Sequence, residues 1–385
     1  MVDDKEKKDC CGCRACQHAC PRYAIEMIED DKGFRYPRID YNLCNQCGLC
    51  DKVCAFNEND KGHGDNPAVY AVKNRDEAVR STSTSGGMFV AISDKILDEG
   101  GVVYGAGYRD RLTVCHKRAV SKNERDECKG SKYVQSDIGD CFIRIKQDLE
   151  NNLKVLFTGT PCQVAALKSF LRQDYHNLFT VDFVCHGVPS NKIWQDFLDV
   201  IEKESKNKVV YAEFRNKEVS WHRPRTKLYF KEPSAKKIRG EQSFFQLFVR
   251  NYMLMPSCHN CKFANFNRAS DITLGDFWGI ERTMPEFDDD RGVSLVLVNS
   301  DKGVVFFEAV KGSLDVRESC RENCLPLQQS LQGSPPRHKN SDQFWKDYHK
   351  KGMRYVMIKY TEYSRVRTWI KKVILKLKGA SKYCF

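Results

Sequence analysis

Short apolar runs separated by helical periodicity set the pattern of the middle of this chain. VYAV (69–72), VVYGA (102–106), VLFT (155–158), FTVDFV (179–184) and VSLVLV (293–298) are runs of strand length, mostly apolar and rich in β-branched residues. Runs of that kind are expected of strands buried on both faces. MFVAISDKILDEG (88–100) and QVAALKSFL (163–171) place apolar residues at helical spacing between them. The alternation predicts an α/β body with a mixed, partly parallel sheet. Two polar stretches punctuate the pattern. ENDKGHGDNP (58–67) and SPPRHKNSD (334–342) read as linkers. They divide the chain into a head (1–60), a body (68–335) and a tail (337–385). No run reaches the roughly 18 apolar residues of a membrane-spanning helix. The start, MVDDKEKKDCCGC, lacks the apolar core of a secretory signal, so the expected compartment is the cytoplasm.

Cysteine changes the picture most. The chain has 19, an odd number, and nine precede residue 55. Such crowding suits metal ligation in a reducing compartment better than a disulfide scaffold. Cys10-x2-Cys13-x2-Cys16-x3-Cys20-Pro21 is followed by Cys44-x2-Cys47-x2-Cys50-x3-Cys54. Each run has the bacterial ferredoxin spacing, in which three cysteines hold one cube and the fourth reaches the other. Cys10, Cys13, Cys16 and Cys54 are therefore expected on one [4Fe-4S] cluster. Cys44, Cys47, Cys50 and Cys20 are expected on the second. The head is predicted to be an α+β ferredoxin-like unit. Zinc is the alternative, but structural zinc usually takes two separated C-x2-C pairs rather than two complete runs. Cys11 is left as a bystander.

The body carries a third cysteine set. Cys162 follows the strand VLFT, Cys185 follows FTVDFV, and Cys258-x2-Cys261 lies in a loop after Pro256. Groups at the carboxyl ends of strands gather in open α/β sheets, so these four suit a third [4Fe-4S] cluster. Taken singly, each reads equally as a buried core thiol. Two turns offer phosphate sites: STSTSGGM (81–88) ahead of a helix, and CKGSKYVQS (128–136). Ordinary helix capping explains the first equally well. There is no G-x-G-x-x-G after a strand and no Walker A motif.

TSGGM, KGSKYVQS, FTGTPCQ, CHGVPS and CHNCKFANFNRASDITLGDFWG occur in this order from residue 84 to 279. The set resembles the coenzyme F420 hydrogenase/dehydrogenase beta-subunit family, which is similar to 7-hydroxymethyl chlorophyll reductases. The resemblance covers roughly 68–300, with the head as a fusion partner. It implies FAD beside a [4Fe-4S] cluster. It divides the body into an N-terminal flavin-binding part (68–145) and a C-terminal part with the third cluster (146–335). By motif position, Ser85, Gly86 and Gly87 would face flavin phosphates, with Lys129, Ser131 and Tyr133 from the second turn. Thr158, Gly159 and Thr160 would lie near the isoalloxazine, and Asp271 and Asp276 at the site's edge. Cys162, Cys185, Cys258 and Cys261 would hold the cluster.

The expected activity is an iron–sulfur flavoprotein oxidoreductase. Electrons would enter from a redox protein such as ferredoxin or another subunit. They would leave as hydride to a small substrate or a deazaflavin coenzyme, and surface polysaccharide biosynthesis is one setting the family implies. The rival reading is an electron-carrier subunit without substrate chemistry. His186 is the candidate proton donor; its alternative role is a hydrogen bond to cluster sulfur. Trp221, His222 and Arg223 read equally as pocket lining or surface loop.

Charge adds one feature. Residues 337–385 hold 14 lysines and arginines against three acids, which accounts for +11 of the net +12. Val366, Trp369, Ile370, Val373, Ile374 and Leu377 make an apolar stripe flanked by basic residues. A basic amphipathic helix within 361–378 suits a peripheral membrane face or an acidic partner. A terminal helix packed on its own domain is the alternative. No nucleic-acid motif accompanies the charge.

Overall fold

The computed structural model describes residues 1–57, 62–233 and 240–363. The expected tail helix at 361–378 lies almost wholly outside them. Among the described residues, no helix is long and apolar enough to cross a membrane.

In the head, β1 (Ile25–Glu29) and β2 (Arg35–Ile39) form an antiparallel hairpin with Ile25 opposite Ile39. Two one-turn helices flank it, α1 (Ala15–Ala19) and α2 (Leu49–Lys52). In the body, β3 (Ala68–Asn74), β4 (Val102–Arg109), β5 (Thr113–Ala119), β6 (Val155–Gly159) and β7 (Leu178–Phe183) come first. A separate antiparallel hairpin, β8 (Val209–Asn216) and β9 (Arg225–Phe230), follows. The last strands are β10 (Ile272–Asp276), β11 (Ser294–Val298) and β12 (Leu314–Ser319).

Eight of these strands form one sheet, ordered β12-β3-β11-β10-β7-β6-β4-β5. β4, β6, β7 and β10 pair in parallel. β3 shares their direction because two antiparallel pairings separate it from β10. β5, β11 and β12 run against them. The body is therefore α/β with a mixed, partly parallel sheet. The sheet draws β3 to β5 into one layer with β6, β7 and β10 to β12, across the boundary that the motifs place near residue 145.

The period of two in the strands sorts side chains between the faces. Val103 and Leu156 face a core with α3 (Met88–Asp98) and α8 (Asp301–Val310). Their neighbours Val102, Tyr104, Val155 and Phe157 face the opposite core, with α4 (Cys141–Glu150) and α5 (Pro161–Leu171). The head packs on this second core, to which it contributes Ala15, Val53 and Ala55.

A third core gathers α6 (Asn191–Ser205), the β8–β9 hairpin, α7 (Ser243–Val249) and α9 (Ser341–Tyr360). Its centre is Trp194 with Phe197, Phe214 and Phe244. Basic composition does not separate residues after 337 from the body. Phe344, Trp345, Tyr348, Met353, Val356 and Met357 of α9 are buried in this core, while its lysines stay on the outer face.

Asp137 ties head to body. Arg14 Nε and Arg35 Nη1 each donate to it at 2.9 Å, and the Gly139 amide donates at 3.1 Å. Arg109 lies 3.6 Å away.

Candidate metal centres and cofactor site

The four body cysteines come from three separate segments, and the fold brings them together. Cys162 is in the first turn of α5, where Thr160 and Gln163 form a reciprocal capping box and Pro161 starts the helix. Cys185 lies just beyond the end of β7. Cys258 sits in a 3₁₀ turn, Pro256–Asn260, and Cys261 follows it. All four line one pocket of about 630 Å³, walled also by Cys11, Phe56, His186, Met255 and Phe263. Gly187 permits the close approach: it takes φ +127°, and a Cβ there would lie 3.1 Å from that of Cys258.

The donor set fits a [4Fe-4S] cluster. Four soft sulfurs converge in a largely apolar shell, and backbone N–H groups of Gly187 and Val188 face Cys185 and Cys258. Burial pushes the Cys261 thiol up to about 11 and raises Cys185 and Cys258 as well. Metal binding must therefore displace protons that this shell would otherwise retain.

Cys11, which spacing leaves without a role, lies in this wall. Its thiol lies near those of Cys13 and Cys162, and their proximity together with burial raises its pKa.

Arg268, within the CHNCKFANFNRASDITLGD stretch, is 1% exposed. Its Nη1 donates to the Phe263 carbonyl at 2.8 Å, and its Nε and Nη2 have no protein partner. Asp182 is 3.9 Å away, but burial raises its pKa, so it offsets the charge incompletely. The Arg268 charge favours the ionised forms of Cys185 and Cys261, and it would equally favour the more negative, reduced state of a cluster held by them. Arg268→Gln is expected to lower that cluster's reduction potential by about 60 mV, or about 1.4 kcal/mol for one electron. EPR-monitored redox titration checks this; an unchanged midpoint would remove Arg268 from the electrostatics of the site.

In the head, the two cysteine runs have the same backbone handedness at equivalent positions. Gly12 and Arg14 take φ +64° and +66°; Gln46 and Gly48 take +57° and +69°. Alternating hand turns successive N–H groups inward, a concavity suited to an anionic cluster. The Gln46 amide already donates to Cys44 Sγ at 3.4 Å, and Ala24 to Cys20 Sγ at 3.3 Å. Cys10, Cys13, Cys16 and Cys54 line a pocket of about 380 Å³ with Val2, Met27, Pro37 and Phe56. Cys20, Cys44 and Cys50 pack around Ile25 and Ile39, while Cys47 is exposed. The pocket puts Cys54 beside Cys10, Cys13 and Cys16, whereas the cluster around Ile25 and Ile39 also takes in Cys16 and Cys54.

Residues 152–319 match the family described as the C terminus of the coenzyme F420 hydrogenase/dehydrogenase beta subunit. Residues 9–57 match the 4Fe-4S dicluster domain. No curated protein matches the chain. One similar solved chain belongs to the xenon-derivatised F420-reducing [NiFe] hydrogenase complex from Methanosarcina barkeri. It is 15% identical, with a TM-score of 0.47, over 76% of this chain and 96% of that one.

All four body cysteines lie in the segment that matches the beta-subunit family; the two Gly/Ser turns precede it. The fold brings those turns together. Lys129 Nζ donates to Thr82 Oγ1 at 3.0 Å, and the Ser131 amide donates to Thr84 Oγ1 at 3.2 Å. Ser85 Oγ donates to the Val293 carbonyl, and the Gly86 amide to Ser294 Oγ. Gly86 admits no Cβ, which would lie 2.2 Å from the Val72 carbonyl. Gly87 caps α3 at φ +89° without a side-chain hydrogen bond. Lys217 Nζ donates to the Arg80, Ser85 and Arg291 carbonyls and so holds the turn; burial pulls its pKa down to about 8.

Beyond this turn, Tyr133 stacks on Phe248 at 4.7 Å. Asp276, at the carboxyl end of β10, pairs with Arg215 and accepts from Trp221 Nε1 at 2.8 Å. Arg215 is buried, with Nε and Nη2 unpartnered; no motif marks it in sequence. Asp271 sits at the opposite end of that strand, accepting from the Thr180 amide and from the Thr180 and Ser300 hydroxyls.

Thr158 Oγ1 donates to the Tyr104 carbonyl, and the Thr158 carbonyl accepts from His116 Nε2. Burial lowers His116 to about 4, so it stays neutral at physiological pH. Gly159 ends β6, and Thr160 caps α5. His186 lines the body pocket; its ring packs edge-on to Phe248, and Nε2 donates to Asn251 Oδ1 at 2.6 Å. Burial lowers its pKa as well.

Proposed function

We propose that this chain is an iron–sulfur flavoprotein oxidoreductase, beyond its relation to a hydrogenase beta subunit and its iron–sulfur head. The carrying observation is the convergence of Cys162, Cys185, Cys258 and Cys261 on one pocket against the dicluster head. In this reading the head holds two [4Fe-4S] clusters and the body a third. FAD lies against the joined turns.

The residues supply the fit. The free N-terminal amides of α3, reached through Gly87, suit a phosphate, with Lys129 close by. Arg215 offers two unused buried donors to a ligand oxygen. Tyr133 and Phe248 give an aromatic wall. Asp276 holds Arg215 in place. Asp271 braces β7 and the α8 cap, and so acts on the site through the sheet. Thr158, Gly159 and Thr160 present the β6 end, where Thr160 also contacts Cys162 Sγ at 3.1 Å. Bound flavin supplies hydride chemistry in two-electron steps while the clusters supply single electrons.

The donor is a redox protein such as ferredoxin or a partner subunit. The acceptor is a small molecule or a deazaflavin coenzyme, with polysaccharide biosynthesis one setting. His186 remains the candidate proton donor; with Nε2–H committed to Asn251, it could donate from Nδ1 only as the imidazolium, which burial disfavours.

Anaerobic purification followed by iron, sulfide and flavin assay tests this. Flavin near one per chain, with iron for three clusters, is the expected result. Iron without flavin, even after incubation with FAD, would leave an electron-carrier subunit instead.

A further inference from the structure

We propose that Cys11 and Phe56 form the electron-transfer wall between head and body. The Cys10–Cys13–Cys16–Cys54 site, rather than the Cys20–Cys44–Cys47–Cys50 site, then exchanges electrons with the body site. This rests on the reading that both pockets hold [4Fe-4S] clusters.

The geometry points to one wall. Cys11 and Phe56 line the first head pocket and also the body pocket. Cys13 lines the first of these pockets beside Cys11, and Cys162 lines the second. The wall is held by the body at both residues. Gln135 Nε2 donates to the Cys11 carbonyl at 3.0 Å, and the Gln135 amide is itself bound to the Pro189 carbonyl at 2.8 Å. Lys262 Nζ, next to Cys261, donates to the Phe56 carbonyl at 2.7 Å. The Phe56 ring packs edge-on to Phe263 at 5.7 Å.

The second head site differs. Cys20, Cys44, Cys47 and Cys50 line neither of the two pockets that Cys11 and Phe56 share, and Cys47 is exposed. Tunnelling falls steeply with distance, so the site that shares a wall carries the transfer. The outer site is the one open to an external donor. The step balances simply: the inner head site loses one electron, the body site gains one, no bond breaks and no proton moves.

The test uses the full chain, loaded anaerobically and reduced with dithionite. Two variants each remove one head cluster: Cys13→Ala the inner, Cys47→Ala the outer. In EPR of the reduced protein, spin coupling should split the body-site signal in wild type and in Cys47→Ala, and vanish in Cys13→Ala. The reverse pattern would overturn the assignment. Cys11→Ser and Phe56→Ala should keep iron for three clusters and the wild-type midpoints, yet slow reduction of the body site by a ferredoxin about tenfold. Unchanged rates in both, or loss of one cluster's iron in Cys11→Ser, would also overturn it; the iron loss would make Cys11 a ligand. Wild-type protein with iron for only two clusters would instead defeat the functional reading, whatever the order of transfer.

Discussion

On the proposed three-cluster reading, Cys258→Ala is expected to remove about one-third of the protein's iron and acid-labile sulfide while leaving the head's share in place. Cys258 is one of the four cysteines proposed to hold the body cluster, and a cube lacking one ligand is exposed to loss. The head ligands sit on other segments and in their own apolar cluster, so their EPR signals should persist. Electron delivery from ferredoxin to any acceptor beyond the body site should fall by about 100-fold or more, since mutating even supporting groups of a metal site typically costs 10–100-fold. Iron and sulfide assay beside EPR checks the loss. Full iron with an unchanged body signal would show that the four cysteines do not act together.

Asp137→Ala should loosen the head from the body by roughly 3 kcal/mol, about a hundredfold in the docking equilibrium. That is the low end for breaking a buried ion pair, because Arg35 and Arg109 are partly exposed. The variant leaves Arg14 facing a buried surface without its carboxylate. Limited proteolysis within 58–67 would report the change, as faster cleavage at native pH. Burial alone would raise the Asp137 pKa; the Arg14 charge and the Gly139 amide outweigh it and hold the carboxylate below its usual range. Its contribution is therefore fully present above about pH 4, the unfolded value, and is lost only as pH falls through the depressed folded value. Between pH 7 and 5 the docking strength of the wild type should stay flat. A steep loss there would place the controlling group elsewhere.

Legibility differed between parts for physical reasons. Cluster ligation needs thiolates at short, fixed intervals, so the head cysteines stand out in the chain itself. Strands buried on both faces must be apolar throughout, and VLFT and VSLVLV announced β6 and β11 on that ground. α9 was concealed because its buried aromatics are interleaved with lysines, and composition averages over the two faces. Arg215 and Arg268 were equally hidden. A lone arginine carries no pattern, and its meaning comes from unpartnered donors in a buried setting.

Chain order alone determined the cysteine runs, the alternating α/β pattern and the two Gly/Ser turns, because each depends on neighbours a few residues apart. The tertiary structure alone decided that Cys11 stands between two cysteine sites, that the turns at 82–87 and 129–131 meet, and that Asp271 and Asp276 serve opposite ends of one strand. Those relations join segments far apart in sequence, and only the pairing of strands and the docking of the head set their distances.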